Sequence, residues 1–128
     1  MAPLIYLDTH VVVWLRAGRT HLLPSPARTL LEENDLLVSP FVVLELQYLF
    51  EIQRVTEPAE TVLAALTRDL GLGVCDSPFS EVARVALGLS WTRDPFDRII
   101  VSQALLRDAP LLTKDPHLRA HYPRAVWD

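Results

Sequence analysis

Five short apolar runs alternate along this chain with longer segments of helical spacing, and this alternation constrains the fold more than any other feature. The runs occupy residues 4–7, 36–39, 72–75, 111–113 and 125–127. Each run is apolar on both faces, which is typical of strands in a parallel sheet covered by helices on both sides. Helices are predicted between them, at about 9–17, 26–34, 41–53, 58–70, 79–89 and 95–108, with a short one from 116. The pattern predicts a three-layer α/β/α domain with a mostly parallel sheet of about five short strands.

Five prolines support the predicted helix starts, because proline is favoured in the first turn of a helix. Each follows a residue that we predict to be the helix N-cap: Ser25, Glu57, Ser77, Asp94 and Asp115. No repeat, low-complexity tract or linker interrupts the series, so we expect one domain spanning residues 1–128.

Composition and charge exclude several classes of protein. Hydrophobic residues make up 50% of the 128 residues and charged residues 22%, which is typical of a globular protein and not of a disordered one. The single cysteine cannot form an internal disulfide, no signal peptide is recognisable, and the apolar runs fall short of the ~20 residues that span a bilayer. We therefore expect a cytoplasmic protein with no membrane segment. The net charge of -4 argues against a surface that coats nucleic acid generally, so any such contact must be local.

Acidic residues follow two of the predicted strands and open the helix before the fourth. Asp8 directly follows the run 4–7, and Asp115 closely follows the run 111–113. Asp94 and Asp97 lie at the start of the helix predicted at 95–108. Because ligands in open parallel sheets bind beyond the carboxyl ends of the strands, we expect these acids to converge there.

Glu45 is a further acid, within the apolar stretch "PFVVLELQYLFEIQ". Its neighbours three and four residues away are Phe41, Val42, Tyr48 and Leu49, so its own helix face is largely apolar and should be packed. A buried carboxylate requires a cation, a hydrogen-bond network or a metal ion. Glu45 is therefore predicted to point inward with a polar partner.

Each of these acids also has an ordinary structural interpretation. Asp8, Asp94 and Asp115 each precede a predicted helix, where aspartate is a favoured N-cap. Asp97 can act as a capping-box partner of Asp94, and Glu45 can simply pair with an arginine. Capping requires neither acids at the ends of different strands nor an inward glutamate on another helix. The combination favours a shared acidic site.

A cluster of carboxylates predicts a divalent cation, because like charges a few ångströms apart repel each other. An all-oxygen site suits Mg²⁺ or Mn²⁺ better than zinc. Such sites suit phosphodiester hydrolysis by a metal-activated water, which makes nucleic acid the natural substrate. Arg93, Arg98 and Lys114 are placed to hold the substrate backbone, although each can equally form a surface ion pair.

Four segments together resemble the motifs of PIN-domain ribonucleases, specifically the VapC-type toxins of toxin-antitoxin pairs. They are "LIYLDTHVVVWL", the internal Glu45, "RDPFDRIIVSQAL" and "LLTKDPHL", and they run almost from end to end of the chain. The resemblance implies a PIN-like α/β/α fold, Mg²⁺- or Mn²⁺-dependent cleavage of RNA, a homodimer, and inhibition by a small cognate antitoxin.

The resemblance also implies roles for individual residues. Asp8, Glu45, Asp97 and Asp115 match the family's catalytic and metal-binding acids. Asp94 belongs to the "DPF" elaboration of one branch and can bind metal, cap the helix, or do both. Thr9 and Thr113 match positions that can hold a water or a carboxylate in place, although each can also be an ordinary turn residue. The branch often has histidine before "RDPFDR", where this chain has Thr92, so no histidine role is transferred.

Other constellations are weaker. His117 and His121 have a spacing compatible with zinc, but no glutamate or third ligand accompanies them, so we interpret them as exposed. His10 is expected to be solvated or at the edge of the core, and Cys75 to be a small buried hydrophobic residue. Trp14 and the other aromatics can stack on bases, but their helical spacing favours core or partner contacts.

Two other functions compete with that of a nuclease. The first is a PIN-like module that binds RNA or protein without cutting, with its acids acting as caps and salt bridges. The second is a phosphomonoesterase of the aspartyl-phosphate kind, which would need a second aspartate at the position of His10. We also expect the strongly apolar helix 41–53 to pack on an antitoxin or on a second copy of the chain.

Overall fold

Within residues 3–128, which the computed structural model describes, five strands form one all-parallel sheet in the order β3-β2-β1-β4-β5. Residues 1 and 2 of the expected domain lie outside the described residues. The strands are β1 (Leu4–Leu7), β2 (Asp35–Val38), β3 (Gly73–Val74), β4 (Leu111–Leu112) and β5 (Ala125–Val126). The predicted three-layer fold with about five short strands is confirmed.

Seven α-helices lie between these strands in the described part of the chain. They are α1 (Thr9–Arg16), α2 (Ser25–Glu33), α3 (Pro40–Glu51), α4 (Ala59–Leu70), α5 (Phe79–Ala86), α6 (Pro95–Leu106) and α7 (Pro116–His121). Every predicted helix is present, with bounds that differ by at most three residues. A 3₁₀ turn at Thr20–Leu22 was not predicted.

Three of the five predicted N-caps are wrong. Ser25, Glu57 and Ser77 do not cap their helices, because α2, α4 and α5 take Pro24, Pro58 and Pro78 as N-caps without a side-chain hydrogen bond. The fixed φ of proline, near -65° for Pro24, suits the extended backbone that an N-cap requires. Asp94 and Asp115 do cap α6 and α7. Of the five predicted N-caps, only these two aspartates, which belong to the predicted acidic site, therefore cap a helix through their side chains.

The core lies on both faces of the central strand β1. Ile5, Tyr6 and Leu7 are completely buried, since helices cover both sides of the sheet. Val42 and Leu46 of α3 are also completely buried, and their burial fixes α3 against the sheet. No helix in residues 3–128 is long and apolar enough to span a membrane.

The pairing of β1 with β4 positions the acids. Leu7 lies opposite Leu112, and the Asp8 N–H donates to the Leu112 carbonyl at 3.0 Å. From β1 the chain builds the sheet first through β2 and β3 on one side, and later through β4 and β5 on the other. The boundary between β1 and β4 is thus the switch point at which open parallel sheets form binding crevices.

Candidate active site

A cleft of about 320 Å³ lies at this switch point and is lined by four of the predicted acids. Each acid comes from a different element: Asp8 follows β1, Glu45 lies on α3, Asp97 lies in the first turn of α6, and Asp115 caps α7. The structure therefore brings together carboxylates that are separated by up to 107 positions in the sequence. Helix capping alone does not require that convergence.

Asp8 is the most firmly held of the four acids. Its side chain is buried, and its two oxygens accept hydrogen bonds from different elements. Oδ1 accepts from the Thr9 N–H at 2.8 Å, and Oδ2 accepts from the Thr113 hydroxyl at 2.7 Å. The Thr113 bond joins the carboxyl ends of β1 and β4, so the orientation of Asp8 depends on both strands. This bond is compatible with the role of holding a carboxylate in place that the resemblance implied for Thr113.

Glu45 is half-buried on α3 and reaches the cleft as its apolar surroundings predicted. Its Oε1 accepts a hydrogen bond from the Thr9 hydroxyl, which links α3 to the start of α1. Burial raises the pKa of Glu45, the Thr9 bond opposes that rise, and the charges of Asp8 and Asp94 add to it. The arginine pair that was the structural alternative for Glu45 is not found among residues 3–128. A hydroxyl takes its place.

Asp97 experiences the strongest electrostatic strain in the cleft. Burial and the charges of Asp94, Asp8, Asp115 and Glu45 raise the pKa of its carboxyl from 3.8 to about 7. No side-chain hydrogen bond from residues 3–128 reaches this carboxylate. Asp97 is therefore partly protonated near neutral pH and is the acid that gains most from a bound cation.

Asp94 and Asp115 both cap helices, but they differ in their access to the cleft. Asp115 lines the cleft while its Oδ1 accepts from the His117 and Leu118 N–H groups. Asp94 is exposed and lies outside the cleft lining, with its Oδ1 accepting from the Phe96 and Asp97 N–H groups at 2.8 and 3.2 Å. The geometry of Asp94 is that of an N-cap whose charge adds to the field at Asp97.

His10 braces the loop that carries Asp115. Its Nε2 accepts a hydrogen bond from the Lys114 N–H at 2.9 Å, which leaves the ring proton on Nδ1, 3.7 Å from Asp8 Oδ2. Burial lowers the pKa of His10, while the charges of Asp8 and Asp115 oppose that change. The ring also packs against Trp14 and Trp127. His10 thus holds the core edge, as expected, and in addition fixes the 113–115 loop.

Two of the three predicted substrate-binding residues are turned toward backbone carbonyls. The Arg98 guanidinium donates to the Ala86 carbonyl, and Arg93 donates to the Ser90 carbonyl. Neither lines the acidic cleft. Lys114 lies on a neighbouring surface, with its Nζ 5.7 Å from the centre of the Trp14 ring.

Sequence reasoning missed Arg54, which lines the cleft together with the acids. It follows α3 and belongs to no periodic pattern, since Gln53 before it adopts a positive φ of 63°. A lone arginine after an apolar helix, in "FEIQRVTEP", is the one sequence signal that could have drawn attention to it.

The four carboxylates of the cleft suit a hard cation, but their oxygens are not yet arranged around one point. Carboxylate oxygens are the ligands that Mg²⁺ and Mn²⁺ prefer. Among residues 3–128, no three His, Cys, Asp or Glu side chains already surround one point as ligands of a single ion. Hydrogen bonds to Thr9, Thr113 and the start of α7 hold Glu45, Asp8 and Asp115 in separate orientations. Binding of an ion thus requires rotation of carboxyl groups within the cleft.

Replacing Asp97 with asparagine should stabilise the fold in EDTA at neutral pH. The folded pKa of Asp97 is raised to about 7, so the stability contributed by its protonated form is complete below about 3.8 and is lost as the pH rises through about 7. Asp97→Asn should therefore raise the unfolding midpoint at pH 8 by about 3–6 °C, the change made by ~1 kcal/mol in a chain of this size. The gain should shrink at pH 5, as measured by thermal unfolding.

Asp35→Asn is the matched control, because Asp35 is exposed at the opposite edge of the sheet, where β2 begins. It should leave the midpoint nearly unchanged at both pH values. Equal effects of the two substitutions would show that the acids in the cleft do not repel one another as described.

Comparison with known proteins places the chain in a family. The profile of the PIN domain family matches residues 5–122. Ribonuclease VapC22 of Mycobacterium tuberculosis (strain ATCC 25618 / H37Rv) is 30% identical over 128 residues, which cover 95% of each chain.

Solved structures share the fold across nearly the whole chain. A chain in the toxin-antitoxin complex from Klebsiella pneumoniae has a TM-score of 0.69 and 19% identity, covering 95% of both chains. A second similar chain lies in the VapBC2 complex from Rickettsia felis, which is bound to a DNA fragment from the promoter of its genes. It has a TM-score of 0.64 and 18% identity, covering 98% of this chain and 99% of that one. With the acidic cleft at its switch point and a family match over most of its length, this chain belongs to the PIN-domain family.

Proposed function

We propose that this chain is a metal-dependent endoribonuclease of the VapC type, the toxin of a toxin-antitoxin pair. One observation carries the proposal: carboxylates from four elements share one cleft, and no lysine or arginine among residues 3–128 forms an ion pair with any of them. Acids that served only in salt bridges would be neutralised by the chain itself. Acids left without a cation are poised to receive one from solution.

Asp8, Glu45, Asp97 and Asp115 are the proposed ligands of Mg²⁺ or Mn²⁺, with Asp94 as a contributor of charge. When bound, such an ion lowers the pKa of a coordinated water and stabilises negative charge on the reacting phosphate. The raised pKa of Asp97 supports this assignment, since a cation relieves the repulsion that causes it.

The surrounding residues have positioning roles in this scheme. Thr113 orients Asp8, and Thr9 orients Glu45, through the hydrogen bond that each hydroxyl donates to the carboxylate. His10 holds the loop that carries Asp115. The reaction adds water across one P–O bond of the RNA backbone, and these side chains hold the attacking water and the phosphate in place.

RNA is the proposed substrate because the relative that is 30% identical is a ribonuclease. A small antitoxin is the proposed partner because the structural neighbours are chains of VapBC and toxin-antitoxin complexes. Both assignments agree with the resemblance carried by the acidic motifs.

A homodimer is also proposed, through an exposed apolar surface on α3. Leu44, Tyr48 and Ile52 are spaced one helical turn apart and are 53%, 49% and 44% exposed. Phe79, 52% exposed, extends this surface by stacking on Phe41. A continuous apolar surface of this kind is stabilised by burial against another chain.

Purified protein should cut RNA with Mg²⁺ or Mn²⁺ and fail to cut in EDTA. Asp8→Asn and Asp97→Asn should each reduce the rate by about two to four orders of magnitude, because several kcal/mol of charge stabilisation are lost. Cleavage of structured and single-stranded RNA, followed on denaturing gels, measures this. Asp97→Asn is informative because it should fold more stably than the wild type in EDTA.

Asp35→Asn controls for a change of net charge and should cut at the wild-type rate. Cleavage that survives EDTA or both substitutions would contradict the metal-dependent mechanism. Binding of RNA by the wild type without any cutting would instead support a binding module.

Substitution of Asp94 should separate its capping role from a role in metal binding. Asparagine is an equally good N-cap, so Asp94→Asn should keep at least the stability of the wild type, whereas Asp94→Ala should be about 1 kcal/mol less stable than Asp94→Asn. Urea unfolding measures both. We expect Asp94→Asn to retain at least about a tenth of the cleavage rate, because it removes only one nearby charge. A loss as deep as that of Asp97→Asn would make Asp94 a ligand.

Light scattering coupled to gel filtration should give a mass twice the 14.4 kDa of one chain. Leu44→Glu should return the protein to the monomer, because it places a charge in the centre of the proposed interface. Leu70→Glu, at an exposed leucine near the end of α4, is the control and should leave the dimer intact. A monomeric wild type would contradict the proposed homodimer.

A further inference from the structure

A second cleft, of about 300 Å³, adjoins the acidic one and has the opposite charge at its rim. The two clefts share Val13, Trp14, Arg54 and Val55, so they are continuous. Arginines border the second cleft, while its floor is apolar. A ligand that occupies the acidic cleft and is longer than a few atoms would continue into this basic one.

Two of the arginines here have free guanidinium groups. Arg19 and Arg54 are exposed, and neither side chain forms a hydrogen bond or an ion pair with residues 3–128. Arg16, by contrast, donates two hydrogen bonds to Glu57, at 2.8 and 2.9 Å. That pair neutralises Arg16 and leaves Arg54 and Arg19 as the available cations.

The backbone holds Arg54 at the shared boundary at some energetic cost. Gln53 adopts a φ of 63°, a left-handed conformation that costs a residue with a Cβ roughly 1–2 kcal/mol. This turn lets the Arg54 N–H donate to the Leu49 carbonyl at 2.8 Å and folds the chain back over the end of α3. Together with the bond from the Gln53 N–H to the Phe50 carbonyl at 3.0 Å, this forms the Schellman motif that commonly ends a helix. Arg54 is thereby placed beside the acids instead of continuing along the helix.

A further cation, Lys114, lies near the acids. Lys114 lies with its Nζ 5.7 Å from the centre of the Trp14 ring, on a surface that also includes Asp115. Trp14 borders both this surface and the two clefts. Two surfaces that carry positive charge therefore adjoin the acidic cleft, and the half-buried ring of Trp14 borders all three.

We propose that a single strand of RNA crosses the acidic cleft with one backbone phosphate bound by Arg54, and that Arg19 binds the strand further along. This inference rests on the proposed nuclease function and assigns a substrate-positioning residue to it. The planar guanidinium of arginine matches two phosphate oxygens at once, and Arg54 has no internal partner to compete with them. Because the chain carries a net charge of -4, local cations are needed to hold a polyanion against the cleft.

Fluorescence anisotropy tests the inference with a labelled oligouridylate of about 20 nucleotides, long enough to exceed a typical single-strand site. Full-length protein carrying Asp97→Asn is the background, because it should cut the RNA too slowly to disturb the binding measurement, and Arg54→Ala or Arg28→Ala is added to it. Arg28 is the matched control, since it is exposed on α2 and lines neither cleft.

Arg54→Ala should weaken binding on the order of fivefold at low salt, and it should reduce the slope of log affinity against log salt by about 0.7, the value for one lost phosphate contact. Arg54→Lys should restore the slope, because it keeps the charge. Thermal unfolding of Arg54→Ala should match that of its parent, since the exposed side chain makes no polar contact within residues 3–128.

Equal affinity and slope for Arg54→Ala and Arg28→Ala would overturn the inference. A loss confined to antitoxin binding would overturn it too and would make this rim a protein interface. Cleavage by the wild type is a separate readout, so failure of Arg54 leaves the nuclease proposal standing. If the wild type did not cut RNA but RNA binding still depended on Arg54, the protein would be a binding module and not a nuclease.

Discussion

The parallel pairing of β1 with β4 is the constraint on which the candidate site depends. Because Leu7 lies opposite Leu112, the residues that follow each strand emerge side by side, and the Thr113 hydroxyl reaches Asp8 across 105 positions of sequence. A shift of this register by one residue would turn Thr113 toward the other face of the sheet. The buried apolar residues of both strands forbid that shift, so the precision of the site comes from the packing of the core.

The same edge of the sheet also gathers the amino-terminal ends of three helices. Helices α1, α6 and α7 begin beside Asp8, Asp94 and Asp115, which accept hydrogen bonds from their first N–H groups. The partial positive charge of a helix amino terminus stabilises a carboxylate by about 0.3–1 kcal/mol. Capping and site formation are therefore not competing explanations, since capping offsets part of the repulsion that convergence creates. Asp97 accepts no such bond from the described residues, and the strain accordingly appears in its raised pKa.

The sequence predicted the order and type of the elements because the signals are local: apolar runs of strand length, helical spacing and prolines at helix starts. The sequence also predicted that Asp8 and Asp115 converge, since the carboxyl ends of parallel strands must lie at one edge, but Asp94, which it grouped with them, lies outside the cleft lining. It could not predict interactions that depend on exact side-chain reach. The Thr9 bond to Glu45, the attachment of Arg98 to the Ala86 carbonyl and the left-handed turn at Gln53 are of this kind. Three N-caps were missed for a related reason, because proline itself satisfies the backbone geometry of an N-cap.

The distribution of arginine explains why the acidic cleft keeps its charge. Within residues 3–128, ion pairs join Arg16 to Glu57, Arg68 to Asp69 and Arg119 to Asp128, while the four acids of the cleft receive none from arginine or lysine. A single such pair would relieve the repulsion at Asp97, and Arg54 already lies along the same cleft. The turn at Gln53 and the hydrogen bond of Arg54 to Leu49 hold its backbone at the boundary of the two clefts, where its guanidinium remains free of the acids. The separation of the carboxylates from the Arg54 guanidinium within one cleft costs stability. It keeps the carboxylates available to bind a cation and the guanidinium available to bind a phosphate.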